Sequence, residues 1–237
     1  MKQYTYLLVN FFSVIVPFLC SFHPKLMFWK NVKAFLPANI ITTILFLVWD
    51  VWFTDKGVWG FNPDYVMGVF VWGLPIEEIL FFLCIPYACL FSYHCFGVWK
   101  EQALRNYSTK AISVLLVLFG AVMLFCFYHK MYPMMNFVVF VLLISYLAFV
   151  KKPNWLGQFY FTYLIMIIPF LIVNGVLTGT GLDAPIVWYN SNEIIGLRIK
   201  TIPFEDVFYG MSLIGLNILL YEGFLRRLKG SRRVAKG

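Results

Sequence analysis

The chain has 237 residues, 61% of them hydrophobic and 13% charged, with a formal net charge of +8 and a mean hydropathy of +0.78. A soluble domain carries about 45–50% apolar and roughly 25% charged residues, so a soluble globular enzyme, a disordered chain and a disulfide scaffold are excluded. The basic balance does not describe a nucleic-acid reader either, whose Lys and Arg would form a solvated face. What remains is an integral membrane protein, and one rich in rings, since 20% of its residues are aromatic.

A membrane helix needs about 20 mostly apolar residues, and the chain offers seven such stretches in order. They are predicted over 4–22, 34–53 (interrupted by Asp50), 65–96, 111–128, 133–150, 156–178 and 203–224. The third is longer than a span needs, and its only acids are Glu77 and Glu78. The start, Met1-Lys2-Gln3, is short, and no small-residue cleavage site follows the first apolar run, which is read as a retained helix.

Positive charge resists translocation. With the N-terminus outside, Lys25, Lys30, Lys33, Lys100, Arg105, Lys110, Lys151, Lys152, Arg226, Arg227, Lys229, Arg232, Arg233 and Lys236 fall on the inner side. Only Lys2, Lys56, Lys130, Arg198 and Lys200 fall outside. The expected topology is multi-pass in the cell membrane, with the N-terminus outside and a cytoplasmic basic tail attracted to anionic lipid.

Cys20, Cys84, Cys89, Cys95 and Cys126 form no CxxC and read as small buried hydrophobes. His23, His94 and His129 lie in separate segments without metal-ligand spacing. No metal site is expected.

An internal repeat organises the chain. Phe61-Asn62-Pro63-Asp64-Tyr65-Val66-Met67-Gly68, then Leu74-Pro75-Ile76-Glu77-Glu78, recurs 128 residues later. The second copy is Tyr189-Asn190-Ser191-Asn192-Glu193-Ile194-Ile195-Gly196, then Ile202-Pro203-Phe204-Glu205-Asp206. Upstream, with a four-residue shift, Asp50 and Thr54 fall on Asn174 and Thr178. The expected fold is therefore an all-α membrane protein of seven helices, in which two parallel three-helix repeats are joined by a connector helix. Its parts are a first repeat at 1–98, a connector at 99–130, a second repeat at 131–225 and a basic tail at 226–237.

Proline followed by carboxylates is also how helices begin, so a helix-start reading competes with a functional one. Acids inside a membrane are costly and mark function, and here the pattern occurs twice. Two acid pairs in an apolar, ring-lined cavity could supply a Brønsted acid and its conjugate base. Nearby rings (Trp49, Trp52, Trp72, Phe81 and Phe82 in one half, Phe208 and Tyr209 in the other) could steady a cation or simply pack. Together these parts suit carbocation chemistry on a hydrophobic polyene. No Gly-rich dinucleotide fingerprint, no lysine in the seventh span for a Schiff base and no Asp-x-x-Asp cluster occur.

On Pro75-Ile76-Glu77-Glu78, Pro203-Phe204-Glu205-Asp206, Phe61-Asn62-Pro63 and Val173-Asn174-Gly175-Val176-Leu177-Thr178, the chain resembles the membrane-integral lycopene β-cyclases with two homologous halves. The resemblance covers residues 1–225, which is the fused form. It implies lycopene as substrate and β-carotene as product through γ-carotene, without redox change or cofactor. Glu77 and Glu205 are the expected essential acid/base residues, with Glu78 and Asp206 as partners that tune or relay the proton. Asn62, Asn190, Asp50, Asn174, Trp49, Trp72, Phe81 and Tyr209 are the expected substrate-side residues, with Glu222 a weaker candidate. Expected partners are lycopene and its carotenoid intermediates, the lipid bilayer, and a second copy or other carotenoid enzymes; nucleic acid is not among them. Competing readings are a cyclase for another end group or longer carotenoid, and a non-enzymatic transporter or lipid-binding protein whose acids carry protons.

Overall fold

The computed structural model describes residues 2–99 and 106–234. Seven helices dominate: α1 (Thr5–Cys20), α2 (Val32–Asp55), α3 (Ile76–Trp99), α4 (Asn106–Phe127), α5 (Met131–Ser145), α6 (Leu156–Leu177) and α7 (Asp206–Val234). Each supplies a segment long and apolar enough to cross a bilayer, α5 through a π-helical continuation to Lys151. Their outer faces are apolar as well. On α4, Leu115, Leu118, Val122 and Phe125 are exposed at every third or fourth position, which makes one helical face a lipid surface.

Two expectations are corrected. The chain is not purely helical, because short strands form in the connectors: β1 (Trp59–Phe61), β2 (Phe70–Val71), β3 (Leu74–Pro75), β4 (Val187–Tyr189), β5 (Arg198–Ile199) and β6 (Ile202–Pro203). The third span also begins at Ile76 rather than near residue 65. Asn62 caps a short 3-10 turn, Pro63–Tyr65, and a β2–β3 hairpin follows. Gly68 and Gly73 there adopt φ of +82° and +83°, a region open to glycine and closed to a continuing helix. Hydropathy is blind to this, since the hairpin is as greasy as the helix after it. Of the basic residues used for topology, Lys100, Arg105 and Lys236 lie outside the described residues.

The second half repeats this connector. β5 and β6 pair as β2 and β3 do, Arg198 facing Pro203 where Phe70 faces Pro75. Lys200 takes the left-handed conformation of Trp72 (φ 56° and 52°).

The two halves meet in an antiparallel ladder between β1 and β4. Gly60 faces Trp188 at its centre, and these are equivalent positions of the repeat. The flanking bonds are reciprocal: Asn62 N–H donates to Ile186 O at 2.8 Å, and Asn190 N–H donates to Val58 O at 2.9 Å. The ladder therefore has local two-fold symmetry. Gly60 has no room for a side chain, because a Cβ there would overlap the Trp188 indole. Gly60→Ala is expected to cost about 1–3 kcal/mol by overpacking, read as earlier thermal unfolding in detergent.

Helix packing breaks the symmetry. α2 carries a buried stripe of small residues, Ala34, Ala38, Thr42 and Thr43, which lets it lie close along α3 and α7. Its counterpart α6 presents Phe159, Tyr163, Met166 and Phe170 instead and makes fewer close backbone approaches to the same two helices. The space beside α6 is a cavity.

Candidate functional site

The cavity encloses about 240 Å³ between α1, α2, α3, α5, α6 and α7, with β1 and β4 at one end. Three carboxyl side chains line it: Asp50, Glu78 and Asp206. Most of the remaining lining is apolar or aromatic. Along α3 the lining runs from Glu78 to Ser92, about 20 Å at roughly 1.5 Å per residue, so the site is an elongated slot with its acids at the connector end.

Each Pro-x-Glu-acid segment divides its two carboxyls between two tasks. Glu77 and Glu205 are fully buried and do not line the cavity. Glu77 Oε1 accepts the Met67 N–H at 2.7 Å, and Glu205 Oε1 accepts the Ile195 N–H at 2.5 Å. Each thus pins the connector of its own repeat to the first turn of the following helix. The main-chain carbonyls of the same residues accept Asn10 Nδ2 and Asn136 Nδ2, both at 2.7 Å. Burial raises the Glu205 carboxyl above its ordinary value, opposed by the Ile195 N–H. Neither residue lines the cavity that their neighbours Glu78 and Asp206 enter.

The second acid of each pair turns into the cavity. Successive helical residues point about 100° apart, so Glu77 and Glu78 cannot share a direction. Glu78 Oε2 accepts the Tyr6 hydroxyl, while Asp206 Oδ1 accepts the Tyr132 hydroxyl at 2.5 Å. Tyr6 and Asn10 on α1 thus match Tyr132 and Asn136 on α5. These four residues are not legible as site residues in the sequence. Their spacing in the repeat is 126 rather than 128 residues, and each is a single polar group in a chain with fourteen tyrosines.

Beyond this shared frame the halves differ. In the first, Asp50 and Glu78 are neighbouring carboxyls in the cavity wall, and Asp50 Oδ1 accepts the Trp59 indole N–H at 2.5 Å. Two neighbouring buried carboxyls are suited to holding one proton between them. In the second half the position of Asp50 is taken by Asn174, whose Nδ2 donates to Asp206 Oδ2 at 2.8 Å. Tyr189, standing where the first half has Phe61, adds its hydroxyl to the same oxygen at 2.9 Å. Burial, then the neighbouring Asp206 carboxylate, holds the Tyr189 phenol well above its ordinary value, so it stays a donor. Asp206 therefore accepts three donors, the environment of an ionised carboxylate.

The two acid groups are close. Trp59, bonded to Asp50, and Tyr132, bonded to Asp206, meet edge to face with ring centroids 5.2 Å apart. Tyr209 lies at 6.2 Å from each of them. Tyr209, Phe81 and Phe82 line the cavity.

Other candidates lie elsewhere. Trp72 sits at the β2–β3 tip, 78% exposed. Trp49 packs behind Tyr209 at 5.1 Å rather than lining the slot, and Phe208 stacks with Phe119. Asn62 and Asn190 serve turns, their side-chain oxygens accepting the N–H groups of Asp64 and Asn192 at 3.0 Å. Glu222 accepts the Tyr93 hydroxyl and is not among the cavity residues. Cys20 and Cys126 are exposed rather than buried. No His, Cys, Asp and Glu grouping suited to a metal ion occurs among the described residues.

A family model described as lycopene cyclase matches residues 3–96 and 129–224. Comparisons with curated proteins and with solved structures gave no match.

Proposed function

The chain belongs to the lycopene cyclase family, and from that premise we propose that it closes the linear ends of lycopene to β-ionone rings, giving γ-carotene and then β-carotene. The observation that carries this reading is the meeting of Asp50, Glu78 and Asp206 at one end of a single apolar slot. An acid with two possible proton positions, a fixed carboxylate and a ring-lined wall are the parts that a cyclisation through a carbocation needs.

The Asp50–Glu78 dyad gives its proton to the terminal double bond of the linear end. The cation that forms is attacked by the next double bond of the chain, closing a six-membered ring and moving the positive charge onto it. The dyad then takes the proton from the ring carbon that formed the new bond, which restores a double bond to the adjacent cationic carbon. The substrate is isomerised without gain or loss of electrons, and the dyad ends as it began. Asp206, held by Tyr132, Asn174 and Tyr189, faces the developing cation as a preorganised counter-charge. The rings of Trp59, Tyr132 and Tyr209 add cation–π stabilisation of about 0.5–2 kcal/mol each. The apolar wall keeps water from capturing the cation.

On this reading Glu77 and Glu205 are positioning residues, and Glu78, Asp50 and Asp206 are the catalytic ones. The halves are parallel repeats about an axis along the membrane normal, which the local two-fold of the β1–β4 ladder supports. The N-terminus is outside and the basic tail cytoplasmic.

Expression in a lycopene-accumulating cell, followed by pigment analysis, tests the reading. β-Carotene with some γ-carotene is expected. A lycopene-only extract with the protein present in the membrane would overturn it, and ε-ring products would redirect it to another end group.

A further inference from the structure

Two acid-bearing halves and a substrate with two identical ends suggest one active site per half. The structure assigns instead a single site, built jointly by both halves, which each substrate molecule must visit twice. This rests on the cyclase reading given above.

The carboxyls of the two halves open into the same cavity. Trp59, bonded to Asp50, and Tyr132, bonded to Asp206, are in edge-to-face contact and link the two acid groups. The halves are also chemically unlike where two equivalent sites would be alike. The first holds a carboxyl dyad, whereas the second has Asn174 in place of Asp50 and a carboxylate held by three donors. One half sets two carboxyls side by side and the other a single carboxyl under three donors, so the halves are not two copies of one site.

The slot is about 20 Å long, shorter than an extended forty-carbon polyene. One linear end reaches the acids while the rest of the molecule lies outside. Its way out lies along the side of the slot, where the lining passes Ser13 and Pro17 of α1 and Pro169 and Phe170 of α6. Ser13, Pro17 and Phe170 are half-buried and Pro169 is exposed, so the slot there reaches the lipid-facing surface between these helices. A molecule cyclised at one end cannot reverse inside a slot shorter than itself. It leaves into the bilayer and returns with its other end first.

In each visit one carbon–carbon bond forms, one proton is added to the chain and one is removed, so the half-cyclised product has the same formula as the substrate. That product is then a free membrane intermediate.

The test uses the full chain in detergent–lipid micelles with isotopically labelled lycopene and a tenfold excess of unlabelled γ-carotene. Label in β-carotene is expected to be diluted roughly in proportion to the added γ-carotene. Labelled β-carotene formed without dilution would overturn the proposal, because the intermediate would not have left. Tyr6→Phe and Tyr132→Phe, one hydrogen bond removed in each half, provide a second reading with lycopene and γ-carotene as separate substrates. Each variant is expected to change both steps by the same factor, within about twofold. A variant that slows one step and spares the other would establish two sites. Wild-type protein that converts neither substrate would count against the cyclase reading itself.

Discussion

Glu78→Gln is expected to lower lycopene cyclisation by about 10²–10⁴-fold, the usual contribution of a positioned acid, while Glu77→Gln leaves it largely intact. The two residues are neighbours in a single motif, and hydropathy or spacing treats them alike. Glu78 lines the cavity beside Asp50. An amide in place of its carboxyl can neither give up a proton as an acid nor share one with Asp50. Glu77 meets the backbone instead, and only its Oε1 has a partner, the Met67 N–H. The amide oxygen of a glutamine at that position can accept the same bond equally well. Glu77→Leu removes the acceptor and leaves the part-buried Met67 N–H without it, at a cost of up to about 1–3 kcal/mol, so it should lower the yield of folded protein. Pigment analysis normalised to membrane-inserted protein separates the two effects. Equal loss in Glu77→Gln and Glu78→Gln would refute the division of labour.

Asp206 carries the second large effect, and its two substitutions should fail differently. Asp206→Leu strands three donors: the buried hydroxyl of Tyr132 and the part-buried Tyr189 hydroxyl and Asn174 amide. Each costs about 1–3 kcal/mol when unpaired, against a total stability of about 5–15 kcal/mol for a typical domain. Loss of monodisperse protein on extraction in detergent is the expected result. Asp206→Asn keeps an acceptor oxygen and most of the fold, but replaces the anion that faces the cation with a neutral dipole. Its thermal midpoint should fall by only a few degrees, whereas turnover should fall by about 10²–10³-fold, the effect of losing one preorganised electrostatic group. Full activity in Asp206→Asn would remove the counter-charge from the mechanism.

Seven apolar stretches, a duplicated Pro-x-Glu-acid segment and the pairing of Asp50 with Asn174 are all visible without coordinates, because hydropathy and repetition are properties of residue order. The third span is shorter than its hydropathy predicts, for a physical reason. A membrane-facing hairpin is as apolar as a helix, and what keeps the helix from starting earlier is backbone conformation at Gly68 and Gly73, which hydropathy does not register.

The choice within each acid pair belonged to the tertiary structure. Adjacent helical residues diverge by about 100°, so one of the two had to face away from any common cavity. Which one depends on how α3 and α7 are rotated against their neighbours. That rotation is held by Asn10, Asn136, Tyr6 and Tyr132, which sit on separate helices far away in sequence. The asymmetry of the site is likewise a matter of assembly. Asp50 and Asn174 differ only in acid against amide, and their placement beside Glu78 and Asp206 turns that difference into a carboxyl pair in one half and a carboxyl with an amide donor in the other.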